Sequence, residues 1–115
     1  AWFLPRIIGQ AAASEMLFTA EPFDADRALL TGLVGEVLTP DDLLPRAKLL
    51  ASKIANNAPL AVRETKKLLR KAVFQPLEDH LKDCAAAQGR LHVSDDHMEA
   101  LDAFFEKRAG QFQFK

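Results

Sequence analysis

A mainly helical chain is what this sequence predicts, and three observations carry that expectation. Apolar residues recur at three- and four-residue spacing through most of the chain. Cap residues and prolines stand where such stripes begin. Only one stretch, Leu33-Val34-Gly35-Glu36-Val37-Leu38, alternates with β-branched residues as a strand does. The expected class is all-α, about six helices with one short extended segment at 33–38.

The elements follow in chain order. Residues 10–20 are rich in Ala, Leu and Met without Gly or Pro, which favours a first helix. Asp24 can cap a short second helix through Leu30, closed by a left-handed Gly32. A lone strand at 33–38 would leave backbone groups unpaired, so it is an edge piece, an extended connector, or the partner of a strand outside this chain. Thr39-Pro40-Asp41-Asp42 starts a third helix, with Leu43, Leu44, Ala47, Leu50, Ala51, Ile54, Ala55 and Ala58 on one stripe. Pro59 opens a fourth, with Ala61, Thr65, Leu68, Leu69, Ala72 and Val73 sharing a face. Pro76 opens a fifth, striped by Leu77, Leu81, Cys84, Gln88 and Leu91. Ser94 caps the last, in which Met98, Leu101, Phe104 and Phe105 are expected inward.

The chain has 115 residues, long enough for one domain to bury roughly two-thirds of its unfolded surface. A net charge of -1 gives no overall attraction to nucleic acid or anionic membrane. No apolar run approaches the roughly 20 residues that span a bilayer. The single Cys84 has no partner for an internal disulfide, which fits a reducing cytoplasm. Trp2 and Phe3, a large apolar pair at the very start, suggest a chain that begins inside something larger.

Charge is unevenly placed. Arg63, Lys66, Lys67, Arg70 and Lys71 fall on one helical face opposed only by Glu64, while residues 76–106 are strongly acidic. Two readings stand: a phosphate, nucleic-acid or acidic-lipid site, or a face that meets water or pairs with the acidic helices, the second favoured because charge runs on an amphipathic helix usually face water, and nucleic acid disfavoured further because no aromatic residue interleaves the stripe. His80 and Cys84, four apart, supply two ligands where zinc takes three or four. Asp95, Asp96 and His97 are explained by capping and the helix dipole. The five Gly are scattered at 9, 32, 35, 89 and 110, so no phosphate loop can be built. From the residues alone, no catalytic site, metal site or cofactor emerges.

Three stretches go further. Leu4-Pro5-Arg6-Ile7-Ile8-Gly9, then Leu17-Phe18-Thr19-Ala20-Glu21-Pro22-Phe23-Asp24-Ala25, then Ala28-Leu29-Leu30-Thr31-Gly32-Leu33-Val34-Gly35-Glu36-Val37 closely resemble the enoyl-CoA hydratase/isomerase (crotonase) family. So does Ala103-Phe104-Phe105-Glu106-Lys107-Arg108-Ala109-Gly110-Gln111-Phe112, with Gly110 in place of the family's usual Pro. Ile54-Ala55, Pro59-Leu60-Ala61 and Lys66 match the spacing between them, so the resemblance spans essentially the whole chain.

The resemblance implies the C-terminal part of a crotonase-fold protein, its spiral β-core absent, with 1–38 as the end of the core region and 39–115 as a helical trimerisation domain. In that family the two oxyanion-binding N–H groups and the acid/base carboxylates lie before the L-P-R segment, and none of Glu15, Glu21 or Glu36 matches a catalytic position. The implied role is part of an enoyl-CoA hydratase of fatty-acid β-oxidation, with acyl-CoA as substrate and no other cofactor. It implies a cytoplasmic homo-oligomer, trimer or hexamer, and an inactive isolated chain. Phe104 would wall the adenine or simply fill the core; Lys107 would meet a CoA phosphate or be solvated. Trp2 would border the acyl pocket or lie in ordinary core. Gln88 stands where some members place an aromatic near the acyl-CoA. The alternatives are another crotonase-family reaction (isomerase, dehalogenase or thioester hydrolase) or a self-standing, non-catalytic oligomerisation module.

Overall fold

The computed structural model describes residues 1–113 and holds seven helices among them: α1 (Leu4–Ile8), α2 (Gln10–Thr19), α3 (Ala25–Leu30), α4 (Pro40–Ala55), α5 (Pro59–Ala72), α6 (Leu77–His92) and α7 (Asp95–Glu106). The chain divides into two units, Ala1–Pro45 and Arg46–Lys115.

In the first unit, α1 is an element the stripe pattern did not reveal, because five residues are too few to show a period. Its signals are local: Pro5 in the first turn, and Gly9 at φ 82° donating its N–H to the Pro5 carbonyl at 3.1 Å. Helix α2 then packs on α1, with Ala13 buried. Asp24 caps α3 as expected, its carboxylate accepting the Arg27 N–H at 2.8 Å. Glu15 of α2 pairs with Arg27 of α3 at 2.6 Å.

The segment expected to be extended forms no strand among the described residues. Gly32, at φ 77°, closes α3: its N–H donates to the Leu29 carbonyl and that of Leu33 to the Ala28 carbonyl, at 3.1 and 2.9 Å. Val34 also donates to Ala28, at 3.2 Å. The start of 33–38 is therefore consumed in the helix cap, and the remainder is a connector without a ladder.

Thr39 starts α4 through a reciprocal arrangement with Asp42, accepting its N–H at 3.3 Å and donating to its carboxylate at 2.6 Å. Pro45 stands inside this helix, where it cannot donate to the Asp41 carbonyl. No residue of α4 is buried, and Leu44 and Leu50 are 62% and 51% exposed.

In the second unit, Ala58 takes an extended ψ of 116° before Pro59, as steric clash with a proline ring requires, so α5 begins afresh. Helices α5 and α6 pack together, as do α6 and α7, and Ala87 and Ala103 are buried. Charges cross the α5–α6 contact. Lys71 pairs with Asp83 at 2.8 Å, and Arg90 reaches Glu64 at 2.9 Å.

Two expectations about the core need correcting. The residues of α7 predicted to point inward are exposed, Phe104 and Phe105 both at 76%. The buried apolar residues among those described are all alanines, Ala13, Ala28, Ala87 and Ala103, so no large apolar side chain forms a core. An apolar stripe demands a cover, but nothing in its spacing says that the cover belongs to the same chain.

Candidate functional site at the end of the last helix

Helix α7 starts at Ser94, whose hydroxyl accepts the His97 N–H at 3.2 Å and donates to the Leu91 carbonyl at 2.7 Å. It ends at Lys107, a lysine in the left-handed region (φ 55°, ψ 39°) that glycine normally fills. The Lys107 N–H donates to the Phe104 carbonyl at 3.3 Å and the Arg108 N–H to the Ala103 carbonyl at 3.0 Å. These two bonds form the double closure of a Schellman motif.

The next residue is locked by charge. Both terminal nitrogens of Arg108 donate to the two Glu99 oxygens, the Nη2 bond at 3.0 Å, and its Nε donates to Glu106 at 2.6 Å. Glu99 also accepts the Gln111 N–H at 2.7 Å. The guanidinium first, and then this backbone donor, hold the Glu99 carboxyl at about 2, while the Arg108 guanidinium is raised above its ordinary value by the same partner. Three residues earlier on α7, Asp96 accepts the Gln113 N–H at 2.8 Å. Two carboxylates of one helix thus strap the tail that follows it.

Of the three residues implicated in substrate binding, Phe104 and Lys107 lie three apart at this helix end, both exposed. No carboxylate among the described residues pairs with Lys107. Trp2 lies in the first unit, half exposed, with the Arg6 guanidinium 4.1 Å above its ring and Phe3 edge-on at 4.8 Å. Gln88 is exposed on α6, with its amide 3.5 Å from His92.

Sequence reasoning missed the strap. Asp95 is an exposed first-turn acid, as expected, but Asp96 is only 2% exposed and holds the tail. Its Oδ2 has no partner among the described residues, beside a 160 Å³ cleft lined in part by Leu60, Leu91 and His97. A signal existed for Glu99: an acid five residues before the Phe-Phe-Glu-Lys-Arg run, within reach of a following Arg.

The basic stripe is partly spent on pairing. Lys67 bonds Glu64 and Lys71 bonds Asp83, which lowers both carboxyls through those lysines first and then through Arg90 and Gln75. Glu64, Lys67, Lys71, Asp83 and Arg90 line a 280 Å³ groove between α5 and α6. His80 is engaged by the Gln75 amide oxygen at 3.1 Å, and Cys84 is a half-buried free thiol. No group of three or more His, Cys, Asp or Glu that could hold a metal occurs among the described residues. No helix there is long and apolar enough to cross a membrane.

Among the described residues, then, every regular element is a helix, and the last of them ends in a cap with an exposed aromatic and a cation three residues apart. The family model for enoyl-CoA hydratase/isomerase matches residues 1–115, and the chain belongs to that family. It is 36% identical over 105 residues to the short-chain-enoyl-CoA hydratase of Clostridium acetobutylicum, covering 91% of this chain and 40% of that protein. With the crotonyl-CoA hydratase of Syntrophomonas wolfei it shares 35% identity over 109 residues, covering 95% and 42%. The crystal structure of an enoyl-CoA hydratase from Bacillus anthracis superposes with a TM-score of 0.93 at 33% identity, over 97% of this chain and 43% of that one. The chain thus spans about two-fifths of the length of these relatives.

Proposed function

We propose that this chain is the helical C-terminal part of an enoyl-CoA hydratase, acting on acyl-CoA in the cytoplasm, and that it contributes subunit contacts and part of the CoA site. The observation that carries this is the end of α7, where Lys107 keeps a left-handed backbone that favours glycine and is met by no carboxylate among the described residues. Strained positions of this kind gather at ligand sites, and a lysine here supplies a cation for phosphate that glycine does not. Phe104 offers an apolar wall beside it, and Trp2 is assigned to the acyl end of the substrate. Hydratase names among the relatives favour hydration over the family's other reactions.

On this reading the chain binds CoA but does not hydrate crotonyl-CoA. Calorimetry should show CoA binding that weakens by about tenfold in Lys107→Ala, the loss of one charge-assisted contact. Absence of binding by the unaltered chain, or hydration at the rate of ordinary family enzymes, overturns the reading.

A further inference from the structure

We propose that Glu99 is a positioning residue for Lys107: by taking up the neighbouring Arg108 guanidinium and the tail N–H of Gln111, it fixes the helix cap that presents Lys107 to an anionic group of CoA. The inference rests on the reading of Lys107 as a phosphate contact and adds a residue one helical turn before Ala103, which that reading does not involve.

Four facts converge on Glu99. The two cations of the Lys107-Arg108 pair have opposite fates, since all three kinds of guanidinium nitrogen of Arg108 are bonded to carboxylates while Lys107 meets none among the described residues. A lysine holds a positive φ only when its surroundings over-determine it. Here the surroundings are the paired bonds to the Ala103 and Phe104 carbonyls, followed at once by a side chain anchored at two points on Glu99. Glu99 lies four residues before Ala103, on the same face of α7, so anchor and cap carbonyl stand one above the other. Its third bond, to Gln111 N–H, turns the tail back toward the helix and away from a direct continuation past Lys107.

Without the Glu99 charge, Arg108 loses its bidentate partner and is held by side-chain contact to Glu106 alone, two residues away in the chain. The cap then loses its anchor on α7 one turn back, and the two backbone bonds that remain hold Lys107 less firmly in the left-handed region. Affinity for a phosphate-bearing ligand should fall while contacts to its uncharged parts persist.

The test uses the 115-residue chain as it stands, with Glu99→Gln, Arg108→Gln, the double variant and Lys107→Ala, each checked for unchanged helicity by circular dichroism. The Lys107 backbone carbon shifts, which report its φ, should leave their left-handed values in Glu99→Gln. CoA affinity should fall between threefold and about tenfold, the range of a weakened charge-assisted contact, and binding of pantetheine, which carries no phosphate, should not change. Arg108→Gln should have a similar effect and the double variant no more than either, as for one coupled pair. Left-handed Lys107 shifts retained in Glu99→Gln overturn the proposal whatever CoA does. So does an equal loss of CoA and pantetheine binding, which marks a general structural role. A Lys107→Ala variant that weakens CoA binding beside a Glu99→Gln variant that does not overturns the positioning role and leaves the phosphate reading standing. CoA binding untouched by Lys107→Ala removes the phosphate reading itself.

Discussion

Glu99 and Asp96 stand three residues apart on α7, and each accepts a backbone N–H of the tail, from Gln111 and Gln113. The strap should therefore be acid-sensitive in a defined window. The Glu99 carboxyl is lowered from 4.5 to about 2, so its stabilising contribution is complete above 4.5 and disappears as pH falls toward 2. Protection of the Gln111 amide against hydrogen exchange should decline through that interval and become flat with pH in Glu99→Gln; a flat profile in the unaltered chain would contradict the assignment. A Cβ on Gly110 would meet the far edge of the Phe112 ring at 2.5 Å, a contact that a turn of this side chain relieves. Lys107 was legible as a candidate through its motif, but its left-handed φ was not, because nothing in residue type announces a lysine in a glycine conformation.

Among elements, what is local was readable. Asp24, Thr39 and Ser94 each cap the helix they precede, because a cap needs only its own side chain and a backbone N–H a few residues on. Ser94→Ala should lower the stability of α7 by about 1 kcal/mol, measured by native-state hydrogen exchange of its amides. Loss of protection spread evenly over α5 and α6 would show that the cap is not acting on α7 alone. One helix unannounced by the stripes, and the choice of connector over strand at 33–38, have equally local causes. Helix α1 is too short for a periodic signal, and the segment at 33–38 carries strand-like residues whose first N–H groups already close α3. Propensity for a strand is a preference for a pleated, half-buried surface, and without a neighbouring strand it has nothing to act on.

At the scale of the whole chain, the unmet demand is cover for apolar faces. Phe18 and Leu30 are 86% exposed, and α4 buries nothing, although its stripe runs over four turns. Such a surface should drive self-association: sedimentation velocity at micromolar concentrations should give concentration-dependent species larger than 12.7 kDa. A strictly monomeric boundary across that range would contradict it. The sequence by itself determined that the chain is helical, where most helices begin, and which family it belongs to, since caps, prolines and stripe spacing act within a few residues. Only the tertiary structure decided that the stripes lie uncovered, that part of the basic face is spent on Glu64 and Asp83, and that Glu99 and Asp96 hold the tail. Those outcomes depend on which residues far apart in the chain come within bonding distance, and periodicity identifies a face without naming what will meet it.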